Sequence, residues 1–450
     1  MPMQANCPFV DEELLWARLV SACSANLIMC GSCGHVEGLS KEMYREAGLS
    51  PSHCYSIVQV ANARGGTLQL LKLRNPWGTG LKWKGDFSDG DTTNWTEEVK
   101  AEAGATDLGQ DGGIFWMTLQ DVRRYFNSIT ISTYRDNWRE SRATAAFPSS
   151  LQGRQPGFLI SNPASGTPTE ALLSLMQPEE RQSATTMTAD LGLVLFRVPS
   201  GVPPANSTEP FASAASTRSK LQFVDSTQRQ VHDTTISDHF IDPRQGSSGL
   251  LAVPLCFNQR TPAPSDFEVG AAMGSKRFTF CCFTAQQVSM QSVEIAPEMV
   301  RDAIVAHVRR HGSVGSHSQG ISLWKLPQAG LTVYVENASM NYVEVSVELT
   351  DLFNVTVSRG VQADSTGQLF MKSRDSIPPR HGMLVFVAAA MPAGHTYRFS
   401  SRFTPRMDGP NGGSAHSPPL AQPCDSLHDP FFLENIHMPN QQNNAGRRMW

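Results

Sequence analysis

Two apolar runs either side of a three-residue turn constrain this chain more tightly than anything else in it. Ile57, Val58 and Val60 precede Arg64-Gly65-Gly66, and Leu68, Leu70, Leu71 and Leu73 follow. Short β-rich runs flanking a Gly-containing turn predict a hairpin. In a regular antiparallel hairpin, paired residues share a constant index sum. His53 and Asn75 stand symmetrically about Arg64. They are therefore expected nearly opposite each other, on one face, at the open end. Directly opposed Cβ atoms lie ~4.5–5.5 Å apart. A carboxamide oxygen there can accept from one imidazole nitrogen, fix the tautomer and leave the other nitrogen for a thiol. A free thiol of pKa ~8.5 is mostly protonated at neutral pH, and an adjacent imidazolium stabilises its thiolate. Trp77 is placed to cover the Asn–His bond and exclude water. Alone, a His at a strand start is usually structural and an Asn-Pro pair usually marks a turn. The mirrored positions, followed by Trp77-Gly78, are what point to a catalytic pair.

The rest of the composition excludes more than it proposes. A chain of 450 residues predicts two to four domains. Hydrophobic residues at 40% and charged residues at 17% are a globular balance. A net charge of -4 gives no electrostatic case for nucleic acid or an anionic membrane. No apolar run reaches the ~18 residues of a spanning helix. The first residues lack a basic region followed by an apolar run, so no secretory signal is visible. Nine cysteines, sparse and odd in number, then read as reduced thiols in a cytoplasmic protein.

Along the chain, residues 1–10 read as a flexible N-terminus. Residues 11–136 form one unit with helices at 11–25 and 41–47, the hairpin, a long surface loop over 79–112, a helix from Thr118 through about Asn127, and a strand at Ile129–Tyr134. The stretch after the first helix, rich in Gly and Cys, reads as a loop. From 137 to 290 helical periodicity fades, and apolar strands such as Leu191–Val198, Leu250–Phe257 and Phe278–Phe283 suit a β-sandwich. Residues 291–405 open with a helix over 296–311, with Pro297 at its first position, Arg309–His311 at its end and Gly312 after it. Alternation at Leu331, Val333 and Val335, then at Val343, Val345 and Val347, predicts a second β unit. Residues 406–450, rich in Gly, Pro, Asn and Gln, read as a disordered tail.

Four ordered segments resemble the second half of a calpain protease core. They are Ser52-His53-Cys54-Tyr55-Ser56, Arg74-Asn-Pro-Trp-Gly78, Trp83-Lys-Gly-Asp-Phe-Ser-Asp89 and Asp111-Gly-Gly-Ile-Phe-Trp-Met117. Within that family the small-optic-lobes type is the nearer resemblance. It is carried by Asp11 to Ser32, Trp138-Arg-Glu-Ser-Arg142, Leu193-Val-Leu-Phe-Arg197, Ala329 to Asn337, Asp351-Leu-Phe-Asn-Val355 and Asp375-Ser-Ile-Pro-Pro379. The resemblance implies an α+β, multidomain fold: half of a papain-like core, an antiparallel sheet with flanking helices, then two mainly antiparallel β-sandwich-like units. It implies a cysteine endopeptidase acting on protein substrates, with His53 as base, Asn75 as orienter and Trp77 as support. It also carries a calcium expectation, with Asp89 and Asp111 as weak ligands. The family's nucleophile stands in a Q-x-x-x-D-C-W-type segment, and no cysteine here has that context. The chain alone is therefore expected to be inactive, with a separate Cys-bearing subdomain as an implied partner. The alternative is a non-catalytic truncated isoform or fragment that acts as a protein-binding or regulatory module.

The cysteines invite other readings. Cys30-Gly-Ser-Cys33 with His35 and Cys23 suggests zinc, but no second paired spacing follows. Cys54 adjoins His53, yet in a strand it points to the opposite face.

Overall fold

The computed structural model describes residues 11–433 except 35, 37, 79, 107, 110–111, 133–134, 152, 179–187, 203–208, 232–233, 260–275, 319, 392–395 and 408–425. The chain divides between Asn137 and Trp138 into two units.

The first unit runs α1 (Glu12–Ser24), β1 (Met29–Cys33), α2 (Lys41–Glu46), β2 (His53–Ala63), β3 (Leu68–Arg74), α3 (Glu97–Ala103), β4 (Ile114–Thr118), α4 (Leu119–Tyr125) and β5 (Phe126–Ile131). The helices begin where side chains can hold their free amides. Asp11 accepts from the amides of Glu13 and Leu14, and Ser40 from that of Met43. Thr118 accepts from the amide of Asp121 and donates back to its carboxylate at 2.7 Å. The strands form one antiparallel sheet in the order β4-β3-β2-β1-β5. Leu15 and Leu19 of α1 join Met29, Tyr55, Ile57, Leu71, Leu73, Phe115 and Phe126 in its core.

Two expectations fail in this unit. The Gly/Cys-rich loop is β1, the strand between β2 and β5. A Cβ at Gly31 would lie 2.7 Å from a ring carbon of Phe126, so the strand's low side-chain volume is what lets β5 close on it. The surface loop over 79–112 contains α3 and folds inward. Phe87 and Trp95 are buried there with Trp116, Leu70 and Val99. Asp91 holds that turn by accepting from the amides of Phe87, Thr93 and Asn94.

The second unit opens with β6 (Arg139–Ala146), β7 (Gln155–Ser161), β8 (Thr169–Met176), β9 (Leu191–Pro199), α5 (Ala215–Arg218), β10 (Gln222–Ser226), β11 (Thr234–Ile241), β12 (Ser247–Cys256), β13 (Arg277–Thr284) and β14 (Met290–Ile295). These make two facing sheets, ordered β10-β9-β12-β7-β14 and β11-β8-β13-β6. The boundary expected at 290/291 therefore falls inside β14, which pairs with β7. Then come α6 (Pro297–His311), β15 (Ser313–Ser318), β16 (Ile321–Leu326), β17 (Gly330–Asn337), β18 (Val343–Phe353), β19 (Val355–Val357), β20 (Val361–Ala363), β21 (Leu369–Ile377), β22 (His381–Ala390), β23 (Arg398–Met407) and β24 (Phe431–Phe432). They form sheets ordered β15-β16-β17-β22-β19 and β20-β21-β18-β23, with β24 beside β22. The described architecture is thus mainly antiparallel sheet with few helices. Among the described residues, no helix is long and apolar enough to cross a membrane.

α6 is buried nearly all round and shares one core with Leu251, Leu255 and Phe257 before it and Trp324, Tyr334 and Leu384 after it. Its buried charges are paired: Asp302 accepts from Arg301 at 2.9 Å and from Arg218 at 3.1 Å. Part of the tail expected to be disordered is anchored here. Of residues 406–450, the stretch 426–433 buries Leu427 and His428, and Phe431 lies under the Arg301 guanidinium.

Candidate active site

The ladder between β2 and β3 starts at Ala63↔Leu68 and reaches Gln59↔Lys72 in one register, then continues as Ile57↔Leu73 and Ser56↔Arg74. Val58 is the extra residue, a bulge. Were Val58 paired in the first register, the index sum would stay odd, and His53 and Asn75 would point to opposite faces. The bulge restores the parity. The register differs from the simple hairpin expected: Asn75 lies beyond the last pair, offset along the strand from the position facing His53. The two side chains still meet, with His53 Nε2 2.9 Å from Asn75 Oδ1.

The hydrogen bonds also fix the imidazole's protonation pattern. The backbone N–H of Trp77 donates to the same Asn75 oxygen at 3.1 Å. A backbone amide can only donate, so that atom is the carboxamide oxygen and not its nitrogen. Nε2 must then carry the proton that Asn75 accepts, and in the neutral ring Nδ1 is left as the base. Asn75 is held from behind. It is 1% exposed, and its backbone N–H donates to Gly113 O at 2.8 Å. Gly113 has φ 72, and a Cβ there would come within 2.9 Å of Asn75 O and 3.0 Å of Asn75 Cβ. Only glycine fits that contact.

Trp77 packs against the imidazole at a tilt of 36°, with ring centroids 4.0 Å apart, and Tyr55 meets it edge-on at 4.9 Å. Trp77 is itself 68% exposed, so it covers one face of the His ring and leaves its own outer face to solvent. Ser52, which precedes the histidine, adopts a left-handed φ of 59. The sequence reading gives Val58, Gly113 and Tyr55 no role in the site. The glycine pair before Ile-Phe-Trp-Met117 was the available signal for Gly113; a bulge leaves none.

The thiols stand as follows. Cys33 is the cross-strand partner of His53. Its sulfur contacts Tyr125 O at 3.6 Å, and burial pushes its pKa up to about 12. It is a protonated core thiol. Cys54 lies on the other face and is pushed up to about 11, by burial first and by Cys30 next. Neither is a thiolate at neutral pH. Among the described residues no cysteine is hydrogen-bonded to His53. Cys30 and Cys33 point to opposite faces of β1, so they cannot share a zinc ion, and His35 lies outside the described residues.

The Asp89 carboxylate is tied to Lys82 Nζ at 2.9 Å. Asp111 lies outside the described residues. Among the described residues no group of three or more acidic, His or Cys side chains could hold a metal. A hard cation needs several oxygen donors, and of the two expected ligands only Asp89 is among the described residues.

Comparison with known proteins completes the picture. The model of the calpain family cysteine protease matches residues 4–133, and that of the Calpain-D-like C-terminal domain matches residues 307–411. Human Calpain-7 is 34% identical over 97 residues, covering 21% of this chain and 12% of that protein. Human Calpain-14 is 30% identical over 215 residues, covering 41% of this chain and 30% of that protein. The maize calpain-type cysteine protease DEK1 is 30% identical over 122 residues, covering 26% of this chain and 5% of that protein. The matches thus span at most 30% of the length of these relatives.

Proposed function

Since this chain belongs to the calpain family, we propose that it supplies the histidine–asparagine part of a cysteine endopeptidase site. The observation that carries this reading is the single-sided engagement of His53. One nitrogen is bound by a buried oxygen that accepts from two donors, and the other is left to act. His53 Nδ1 would take the proton of an incoming thiol. Asn75 would hold the ring and the tautomer without adding a charge that competes for the thiolate–imidazolium pair. Trp77 and Tyr55 would restrict the ring's rotation and shield one of its faces. The thiol would come from a Cys-bearing subdomain outside the described residues, and the substrates would be protein segments.

Under this reading residues 11–136 are the second subdomain of a papain-like core, and the sheets beyond it position substrates or partners. The small-optic-lobes type is favoured because the Calpain-D-like match over 307–411 covers the stretch that carries several of its motifs. A cytoplasmic location is part of the same proposal. One observation favours a second reading: no described thiol bonds to His53. In that case the chain binds partners or competes for substrates without cutting them.

The test is to mix the full chain with the Cys-bearing subdomain of a calpain relative and follow cleavage of a fluorogenic peptide. The first reading predicts cleavage above either component alone, lost by ~10³-fold or more in His53→Ala. Docking of the two without cleavage would favour the second reading, and absence of both would overturn the first.

A further inference from the structure

The back of the strand that carries His53 holds a second thiol arrangement. β1 and β2 pair so that Cys30 faces Ser56 and Ser32 faces Cys54. Alternation sends Met29, Gly31 and Cys33 toward the core and Cys30 and Ser32 away from it. Cys54 is exposed and Cys30 half-buried. The two are therefore diagonal neighbours on the face opposite the core. The two thiols are hydrogen-bonded to each other. Both sulfurs are reduced.

We propose that Cys30 and Cys54 are an oxidation site that closes to a reversible cross-strand disulfide directly behind His53. The oxidant is a peroxide. One cysteine gives up its proton as its sulfur attacks a peroxide oxygen, the O–O bond breaks, the sulfur becomes a sulfenic acid, and the departing hydroxide takes that proton and leaves as water. The second thiol then attacks that sulfur, the S–S bond forms, and hydroxide leaves with the second thiol's proton as another water. Two thiols and one hydrogen peroxide thus give one disulfide and two waters.

Geometry shapes the consequence. Diagonal Cα atoms in an antiparallel pair sit ~7–8 Å apart. A bridge is comfortable only below ~7 Å. Closing it must draw β2 toward β1 at Cys54, the residue bonded to His53, and a strained bridge is the more readily reduced. The pair is thus suited to opening and closing, not to permanent stapling. The fold supplies both partners on adjacent strands, so formation needs no rearrangement beyond that local shift.

The test uses the full chain. It is treated with stoichiometric hydrogen peroxide, alkylated and digested without reduction, and its peptides are sequenced by mass spectrometry. The proposal predicts a cross-linked pair containing Cys30 and Cys54, the loss of two free thiols per chain, and their recovery on addition of dithiothreitol. Cys30→Ser and Cys54→Ser should each abolish the cross-link. A second measurement on the unmodified chain is independent of those variants: phenylarsine oxide, which needs two adjacent thiols, should protect both cysteines from alkylation. Stable sulfenic acid or higher oxidation at Cys54 with no cross-link would overturn the proposal. So would a bridge to a different cysteine, or arsenical that leaves both thiols open to alkylation.

Discussion

His53 and His307 are both packed against aromatic rings, and the contrast between their surroundings separates a site from a core. His53 stands half-exposed at the open end of a hairpin, with one nitrogen fixed by Asn75. His307 is 0% exposed on α6, between Phe257 at 5.1 Å and His311 at 4.8 Å, with neither nitrogen hydrogen-bonded among the described residues. Burial first, then His311 and Arg229, holds it well below its usual pKa. It is a neutral filler. Ring packing occurs in both places. What differs is directed engagement: a fixed acceptor on one nitrogen and an open side at the other. The same contrast holds for charge. Around α6 the ions are internal and mutually paired, as in Asp302 with Arg301 and Arg218, or Asp190 with Arg229. At the hairpin end the polar pair is a single imidazole–carboxamide hydrogen bond that faces solvent on one side.

This contrast can be broken from the second unit's side first, where the effects are largest. Asp302→Ala leaves two guanidiniums buried without their partner and should destabilise the second unit by ~3–5 kcal/mol. Urea unfolding of that unit checks it; a change under ~1 kcal/mol would mean that the network is not structural.

Acid should act on the same region. Burial lowers His428 to about 3, and His307 and His311 are lowered as well. Their folded-state pKa values lie below the unfolded value of ~6.5, so as pH falls the unfolded chain binds protons first. Their contribution is intact above pH ~6.5 and is lost progressively below it, at up to ~1.4 kcal/mol per pH unit for each group. For His428 the loss continues down to about 3. His428→Asn can still donate to Leu384 O and should shift acid unfolding to lower pH; an unchanged acid midpoint would count against the assignment.

At the hairpin the effects are smaller in stability and sharper in geometry. Gly113→Ala must move Asn75 or break the left-handed turn, at ~1–2 kcal/mol. It should disturb the His53 resonances far more than those of α6. Deleting Val58 should leave His53 on the face of Asn75, because Ile57↔Leu73 and Gln59↔Lys72 then follow one another in one regular ladder, whereas Asn75→Ala should abolish the bond. That bond is worth only ~0.5–1.5 kcal/mol, so spectroscopy reads its loss better than melting does. Trp77→Ala should change stability by no more than ~0.5 kcal/mol while removing the ring-current shift on His53.

Much of this was legible in the sequence for physical reasons. The hairpin was, because Gly65-Gly66 and the flanking Leu and Val runs admit few alternatives. α6 was, from Pro297 and the four-residue repeat of Val300, Ile304 and Val308. The bulge at Val58 was not, since an extra residue leaves no compositional trace; the expected pairing reached the right face although the register was off. β1 was hidden because Met-Cys-Gly-Ser-Cys has little β propensity and becomes a strand only through closure by Phe126. α3 was too short and charged to read inside a Gly-rich stretch. The tail anchor was masked by its flanks, since His428 and Phe431 are held by Leu384 O and Arg301 from distant segments.

The central claim is that Asn75 fixes His53 with its proton on Nε2 and Nδ1 free. Long-range proton–nitrogen correlation spectra of the full chain read this directly. In the neutral ring, Nε2 should show the shift of a protonated nitrogen and Nδ1 that of an unprotonated one, and Asn75→Ala should relax this to a tautomer mixture. A neutral His53 protonated on Nδ1, or an Asn75→Ala spectrum identical to that of the unaltered chain, would contradict the account.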